Sequence, residues 1–220
     1  MVRALQLHRA RCRAKIPPKY ADLTLGQLLQ RPCPPEQAVA LNKLANWGKL
    51  VTNPGFLNLT VIGDKGTGKT EMLSALLGSL VHIGVDCKYT TCNDMLAKCK
   101  ATWKSKDMPE SAVVAEYVQP KVLVFDEISG PDREGLESLS TREIYLIETM
   151  IDERYQQQKK TVLAGNIKTM EALIALVGER VASRAQEGGV LIVCNWPSHR
   201  KWARIEEFDE AVKKSGVQLC

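Results

Sequence analysis

Short apolar runs alternate along this chain with longer stretches in which apolar residues recur at helical spacing. The runs predict buried strands at 56–62, 85–91, 121–128, 161–166 and 190–194. The stretches between them predict helices at 71–81, 94–104, 141–155 and 171–177, and a further helix that begins at 178–184. Strands that alternate with helices in this way indicate an α/β fold with a parallel sheet.

Residues 1–55 depart from this alternation. The stretch 1–15 is a basic arm that carries Arg3, His8, Arg9, Arg11, Arg13 and Lys15. It is expected either to touch nucleic acid or a partner protein, or to be a solvated tail. An Arg-rich start without acidic residues is also typical of organelle transit peptides, although this stretch contains no serine.

The segment 16–55 connects the arm to the first strand. Its opening sequence at 16–20, Ile-Pro-Pro-Lys-Tyr, predicts an extended tether, because proline is excluded from helix interiors. A short helix is predicted at 24–30 and a longer one at 36–50. The apolar face of the longer helix would consist of Val39, Leu41, Leu44, Ala45 and Trp47.

Composition narrows the class of protein. A chain of 220 residues that is 45% hydrophobic can bury the core of one domain, and its net charge of +5 permits an anionic partner such as nucleic acid. No apolar run approaches the length of a membrane span, so no membrane contact is expected. The seven cysteines are odd in number and form no C-x-x-C pair, so the sequence indicates neither a disulfide framework nor a zinc site. This use of cysteine favours a location in the reducing cytoplasm.

The strongest chemical signal follows the first strand. Residues 63–70 fit the phosphate-loop pattern G-x-x-x-x-G-K-[ST] with Gly63, Asp64, Lys65, Gly66, Thr67, Gly68, Lys69 and Thr70. In such a loop backbone N–H groups cradle phosphates, Lys69 reaches the β- and γ-phosphates, and Thr70 holds Mg²⁺. The alternative is a surface turn rich in glycine and lysine, but it does not account for the flanking strand and helix. The loop therefore predicts a site for a nucleoside triphosphate with Mg²⁺.

Two strand ends supply candidate catalytic groups. Asp126 and Glu127 end an apolar strand, at the edge of the sheet where ligands bind in open α/β folds. Asp126 would hold Mg²⁺, usually through water, and Glu127 would act as the general base on the attacking water. Asn166 ends the next strand and could hydrogen-bond that water or the γ-phosphate. Its alternative role is a plain strand-end turn, since Gly-Asn favours turns.

A cationic helix is a candidate surface for nucleic acid. The helix at 94–104, for which Asn93 is the predicted cap, places Trp103 among Lys98, Lys100, Lys104 and Lys106. Such a face can hold a single strand by phosphate contacts and base stacking. The alternative is a solvated lysine face with Trp103 packed inward.

Arg180 and Arg184 are a second cationic feature. They are four residues apart and therefore share one face of a helix. Two arginines on one face suit a phosphate clamp offered to a neighbouring subunit, or they are an ordinary surface pair.

Taken together, these motifs resemble the DnaC-type helicase loaders within the AAA+ ATPases, and IstB-type transposition helpers share most of the set. The resemblance runs from about Ile16 to Arg204. Its markers are the stretches 16–20, 63–70, 124–128, 165–166, 178–184 and 195–200.

The resemblance implies an AAA+ core at 56–204 with a five-stranded parallel sheet of order 5-1-4-3-2, followed by a tail at 205–220. The chain after Cys194 is expected to be too short for the helical lid of larger AAA+ proteins, which agrees with the loader group. It implies that ATP lies between subunits of a ring or spiral. Asn166 would be a polar sensor, Arg184 the arginine finger for the next subunit, and Arg180 a second phosphate-sensing arginine. Contacts with single-stranded DNA would come from Lys100, Trp103, Lys104, Ser140 and Arg142, where Trp103 replaces a phenylalanine of the family.

One departure concerns the helicase partner. The loaders carry a helicase-binding domain ahead of the Ile-Pro tether, whereas residues 1–15 stand in that place here. The predicted function is an ATP-hydrolysing DNA replication protein that binds single-stranded DNA, self-associates and helps to load a hexameric replicative helicase. A short loader of this kind would suit a phage or a mobile element. The alternatives are an IstB-like transposition helper acting on duplex DNA and a non-catalytic adaptor switched by ATP.

Overall fold

An all-parallel sheet lies at the centre of the fold. The computed structural model describes residues 2–53, 58–103, 109–128 and 139–199, without the side chains of residues 2–6 and 8. The strands within these ranges are β1 (Leu59–Gly63), β2 (Cys87–Thr91), β3 (Val122–Asp126), β4 (Lys160–Gly165) and β5 (Val190–Cys194). They lie in the order β2-β3-β4-β1-β5, and all neighbouring pairs are parallel. This order is 5-1-4-3-2 counted from the other edge, so the predicted fold is confirmed.

Helices cover both faces of the sheet. On one face lie α1 (Val2–Ala14), α2 (Leu25–Leu29), α3 (Pro35–Leu50) and α4 (Lys69–His82). On the other lie α5 (Cys92–Thr102), α6 (Glu110–Val118), α7 (Thr141–Gln156), α8 (Met170–Val177) and α9 (Glu179–Gln186). Within the described ranges, none of these helices has the length and apolar character needed to cross a membrane.

The run 122–125 of β3 is apolar throughout because successive side chains of this strand serve opposite faces, both of which are covered by helices. Val122 and Val124 of β3 belong to the apolar cluster beneath α1–α4. Leu123 and Phe125 belong to the cluster beneath α5–α9. Asp126 continues the first set, so its carboxylate points to the α4 face, where the phosphate loop lies.

The amino-terminal region differs from its prediction. Residues 2–14 form α1, and Ala14 at its end is fully buried, so a solvated tail is the wrong description of that end. Ile16 is also buried and joins the same apolar cluster. The segment Pro18–Tyr20 is a turn of 3-10 helix, so the expectation of an extended tether is wrong there. Proline suits the first position of such a turn, because no N–H is needed at that point.

Two smaller predictions also need correction. Helix α5 begins at Cys92, and its cap is the side chain of Thr91, which accepts a hydrogen bond from the Asp94 N–H, rather than Asn93. Val39 is 56% exposed and does not belong to the buried face of α3. Lys104, Lys106 and residues 129–138, 200–204 and 205–220 lie outside the described residues.

Candidate nucleotide-binding site

The phosphate loop runs from the end of β1 to the start of α4 and depends on glycine geometry. Gly63 has φ +142°, and a Cβ at that position would lie 2.2 Å from the carbonyl oxygen of Cys194. Gly66 and Gly68 also have positive φ, and Gly68 is the cap residue of α4. These conformations are accessible to glycine without strain, so they explain why the loop needs glycine at all three places.

Lys69 lies inside the loop that precedes it. Its Nζ donates hydrogen bonds to the carbonyl oxygens of Gly63 and Asp64, both at 2.8 Å. The residue is only 6% exposed, so its ammonium group is held beneath the loop in a region that disfavours unpaired charge. A buried cation surrounded by loop backbone is well placed to bind phosphate oxygens.

The segment after β5 supports the loop from behind. Trp196 is buried, and its indole Nε1–H donates to the carbonyl oxygen of Thr67 at 2.8 Å. The backbone N–H of His199 donates to the carbonyl oxygen of Gly66 at 3.0 Å. The His199 ring is in turn joined to Gln37 of α3 by a hydrogen bond of 3.0 Å. Because these bonds use carbonyl oxygens of the loop, they fix it without engaging the N–H groups of Gly66 and Thr67.

The carboxylate of Asp126 meets the end of the loop. Thr70 Oγ1 donates to Asp126 Oδ2 at 2.8 Å, and the N–H of Glu127 donates to Asp126 Oδ1 at 2.8 Å. A hydroxyl and a carboxylate are hard oxygen ligands of the kind that Mg²⁺ prefers, so this pair fits the predicted metal. Among the described residues, no group of three or more His, Cys, Asp or Glu side chains is arranged to hold a metal ion.

Tyr89 is a site residue that the sequence did not reveal. Its hydroxyl donates to Asp126 Oδ2 at 2.8 Å, and the residue is only 7% exposed. Burial, reinforced by the charge of Asp126, raises the pKa of Tyr89, so the phenol stays protonated and acts as a donor. No local pattern could have indicated this role, since tyrosine is an ordinary strand residue.

Glu127 and Asn166 lie at the same edge of the sheet. Glu127 has φ +56°, a left-handed conformation that is unusual for glutamate and that turns the chain directly after β3. The N–H of Ile128 donates to Ala164 in β4, and the N–H of Gly63 donates to Ile167. These two bonds hold the residues on either side of Asn166 against the ends of β3 and β1. Thr70, Tyr89 and Glu127 line a cavity of about 580 Å³ at this edge.

Arg180 and Arg184 share a face of α9, as predicted, and both contact Asp152 of α7. Arg180 forms an ion pair with Asp152, and Arg184 Nε lies 3.6 Å from the same carboxylate. The Arg184 guanidinium also lies over the ring of Tyr155, with its central carbon 3.9 Å from the ring centroid. Arg184 is therefore held in a defined direction by neighbours on its own chain.

The predicted DNA contacts converge on one surface, which we call the Trp103 patch: Lys100, Trp103, Glu110, Ser140, Arg142 and Glu143. Glu110 accepts from the indole of Trp103 at 2.5 Å and from Arg142 at 2.7 Å. Lys100 Nζ lies 2.8 Å from Glu143. Ser140 caps α7 through a reciprocal pair of hydrogen bonds with Glu143. Trp103 is half exposed, so the alternative of an inward-packed Trp103 is wrong.

Comparisons with known proteins agree with this architecture. A family model described as "IstB-like ATP binding protein" matches residues 41–185. The replicative helicase loader DnaC of Escherichia coli strain K12 is 28% identical over 147 residues, which are 66% of this chain and 57% of that protein. The aligned part of this chain thus spans little more than half the length of that relative.

Two solved structures share the fold. The crystal structure of the DnaC helicase loader has a TM-score of 0.67 at 24% identity, over 80% of this chain and 99% of that one. The replication initiator DnaA bound to AMPPCP and single-stranded DNA has a TM-score of 0.65 at 21% identity, over 94% of this chain and 58% of that one. The sheet order and phosphate loop are those of the AAA+ fold. Because the family model matches more than half of this chain, the chain belongs to the family of IstB-like ATP-binding proteins.

Proposed function

We propose that this protein is an ATPase that binds single-stranded DNA and helps to load a hexameric replicative helicase. The observation that carries the ATPase part is the 2.8 Å contact between Thr70 and Asp126, beside a buried Lys69. Lys69 and Thr70 belong to the phosphate loop, whereas Asp126 ends β3, 56 positions after Thr70 in the sequence. Their convergence is the arrangement that Mg²⁺-dependent phosphoryl transfer requires.

Each residue has a defined task in this mechanism. Lys69 would exchange its bonds with the Gly63 and Asp64 carbonyls for oxygens of the β- and γ-phosphates. Thr70 and Asp126 would hold Mg²⁺, which would neutralise negative charge on the phosphates. Glu127 orients a water molecule and takes its proton as the water oxygen bonds to the γ-phosphorus. The bond from that phosphorus to the β–γ bridging oxygen breaks, and ADP carries away its electrons.

Glu127→Gln and Lys69→Ala separate binding from chemistry. We expect Glu127→Gln to bind a fluorescent ATP analogue as the wild type does, while its turnover falls roughly 10²–10⁴-fold. Lys69→Ala should lose nucleotide affinity itself. Wild-type turnover in Glu127→Gln would remove Glu127 from the mechanism, and wild-type affinity in Lys69→Ala would contradict the site.

Arg184 is proposed to complete the site of a neighbouring copy. Support comes from its position at the surface of α9, where a third of its side chain stays exposed while Asp152, Glu187 and the Tyr155 ring hold its guanidinium. Arginine fingers contribute roughly 10³–10⁵-fold to turnover, so Arg184→Ala should bind ATP normally and lose most of its DNA-stimulated hydrolysis. Arg180 would be the second phosphate-sensing arginine.

Mixed assemblies test whether the finger acts between subunits. Lys69→Ala subunits keep the finger but lack a working site, whereas Arg184→Ala subunits keep the site but lack the finger. Neither variant alone should turn over ATP, and a mixture should recover part of the activity. No recovery in a mixture whose co-assembly is verified by size would show that the finger does not act in trans.

The DNA-binding part of the proposal rests on the Trp103 patch. It combines an exposed aromatic ring with Lys100 and Arg142, the elements of a stacking platform. A DnaA structure with the same fold is bound to single-stranded DNA. Helicase loading is proposed from the DnaC relative and is tested by co-elution with the purified replicative helicase of the host, with and without residues 1–15.

A transposition helper that acts on duplex DNA is the second candidate. The family model that matches residues 41–185 favours it, because that model is named after IstB-like proteins. Binding to single-stranded and duplex oligonucleotides of equal length separates the two functions. At least tenfold tighter binding to the single strand supports the loader, and the reverse preference supports the transposition helper.

A further inference from the structure

The carboxylate of Asp126 is held by three hydrogen-bond donors. Thr70 and Tyr89 both donate to Oδ2, each at 2.8 Å, and the N–H of Glu127 donates to Oδ1 at 2.8 Å. Thr70 belongs to the phosphate loop and Glu127 to the turn after β3. Tyr89 alone of the three lies in β2, so it joins the edge strand to the predicted metal site.

The fold leaves the Tyr89 hydroxyl little freedom. In the register between β2 and β3, Tyr89 is paired with Val124 and Thr91 with Asp126. Tyr89 and Asp126 therefore lie on the same face of neighbouring strands, one step apart, and the phenol reaches forward to the carboxylate. Its ring packs in the apolar cluster beneath α1–α4. Because close packing fixes the ring, it also fixes the position of the hydroxyl oxygen relative to Asp126.

We propose that Tyr89 is a positioning residue that holds Asp126 in the orientation needed for Mg²⁺ binding. This inference rests on the proposed Mg²⁺–ATP site and adds a residue to it. A carboxylate that is already oriented loses little freedom when the metal binds, so the hydroxyl favours the metal-bound state. Groups that orient metal ligands in this way typically change metal affinity by roughly 10–100-fold.

Tyr89→Phe in the full chain tests the proposal because it removes the hydroxyl and keeps the ring. The affinity for a fluorescent ADP analogue is measured as Mg²⁺ is titrated, and again in EDTA. We expect the affinity in EDTA to be unchanged, while the Mg²⁺ concentration that gives half of the metal-dependent effect rises roughly 10–100-fold. Turnover should return toward the wild-type value at saturating Mg²⁺, which a purely structural defect would not allow.

Two further variants make the result decisive. Tyr117→Phe removes the hydroxyl of another buried tyrosine, which lines the same cavity but packs in the cluster beneath α5–α9, and it should leave the Mg²⁺ dependence unchanged. Asp126→Asn should abolish the metal effect. If Asp126→Asn does so and Tyr89→Phe matches the wild type, the role of Tyr89 is refuted and the metal site stands. If Asp126→Asn also matches the wild type, the proposed metal site itself is wrong.

Discussion

Replacing Trp103 with alanine tests the proposed DNA surface most directly. The residue caps the carboxyl end of α5 with 51% of its surface exposed, and the Arg142 guanidinium lies over its ring, 6.0 Å from the centroid. Stacking of one base on an aromatic ring contributes roughly 1–3 kcal/mol. Since about 1.4 kcal/mol corresponds to tenfold in affinity, Trp103→Ala should weaken binding to a single strand by roughly 5- to 150-fold.

The charges of the Trp103 patch make stacking the main contribution. Lys100 is paired with Glu143, and Arg142 with Glu110, so each of the two cations already has a carboxylate partner. A DNA phosphate must displace that partner, which reduces what each cation contributes. We therefore expect the loss in Trp103→Ala to change little between low and moderate salt. Lys100→Ala should weaken binding less than Trp103→Ala does.

Trp103→Phe is the matched control for this prediction. It keeps an aromatic ring and removes the indole N–H that donates to Glu110. We expect its dissociation constant to stay within about threefold of the wild type, because stacking needs only the ring face. The assay is fluorescence anisotropy of a labelled oligothymidine, with circular dichroism to verify the fold. Wild-type affinity in a folded Trp103→Ala protein would refute the assignment of the patch.

Two predictions concern stability. Burial disfavours ionisation of Glu143, but hydrogen bonds from Lys100 and Ser140 outweigh it and lower its pKa from about 4.5 to about 2. The stabilisation is thus complete above about pH 4.5 and is lost as the pH falls toward 2. Between these two pH values the melting temperature of Glu143→Gln should therefore fall less than that of the wild type. Arg154→Met should lower the free energy of unfolding by roughly 3–5 kcal/mol in urea titrations, because a fully buried guanidinium donates to the carbonyls of Tyr117, Val118, Pro120 and Lys160. An unchanged urea midpoint would contradict that role.

The sheet and the acidic edge of the site could be predicted because they depend on short patterns. An apolar run that ends in Asp126 and Glu127 is a local feature, and so is the loop that ends in Thr70. Parallel strands bring their carboxyl ends to one edge, so the meeting of these groups follows from the fold class. Strand order, by contrast, came from the resemblance to a family, since no local pattern encodes which strands are neighbours.

Residues whose partners are distant in sequence escaped prediction. Tyr89 acquires its role only where it meets Asp126, 37 positions away. Arg154 resembles any cation in the last turn of a surface helix, and only the packing of α7 against β4 shows that it is buried. Helix α1 did carry a usable signal. Its residues Leu7, Ala10 and Ala14 recur at helical spacing and all pack on the core, but the surrounding arginines suggested a solvated arm.

Helix α5 connects the two parts of the proposed mechanism. It begins beside Thr91, the register partner of Asp126, and its eleven residues span about 16 Å and are followed directly by the cap residue Trp103. A packed helix moves as a unit, so a shift at the metal site that accompanies hydrolysis would also move the indole. If the two sites are coupled, a non-hydrolysable ATP analogue must change the affinity for an oligothymidine, and the oligothymidine must change nucleotide affinity by the same factor. Measuring both affinities, each with and without the other ligand, tests this expectation. A factor of one in the wild type would show that α5 carries no signal, whereas a factor that disappears in Trp103→Ala would identify the end of α5 as the point where DNA is sensed.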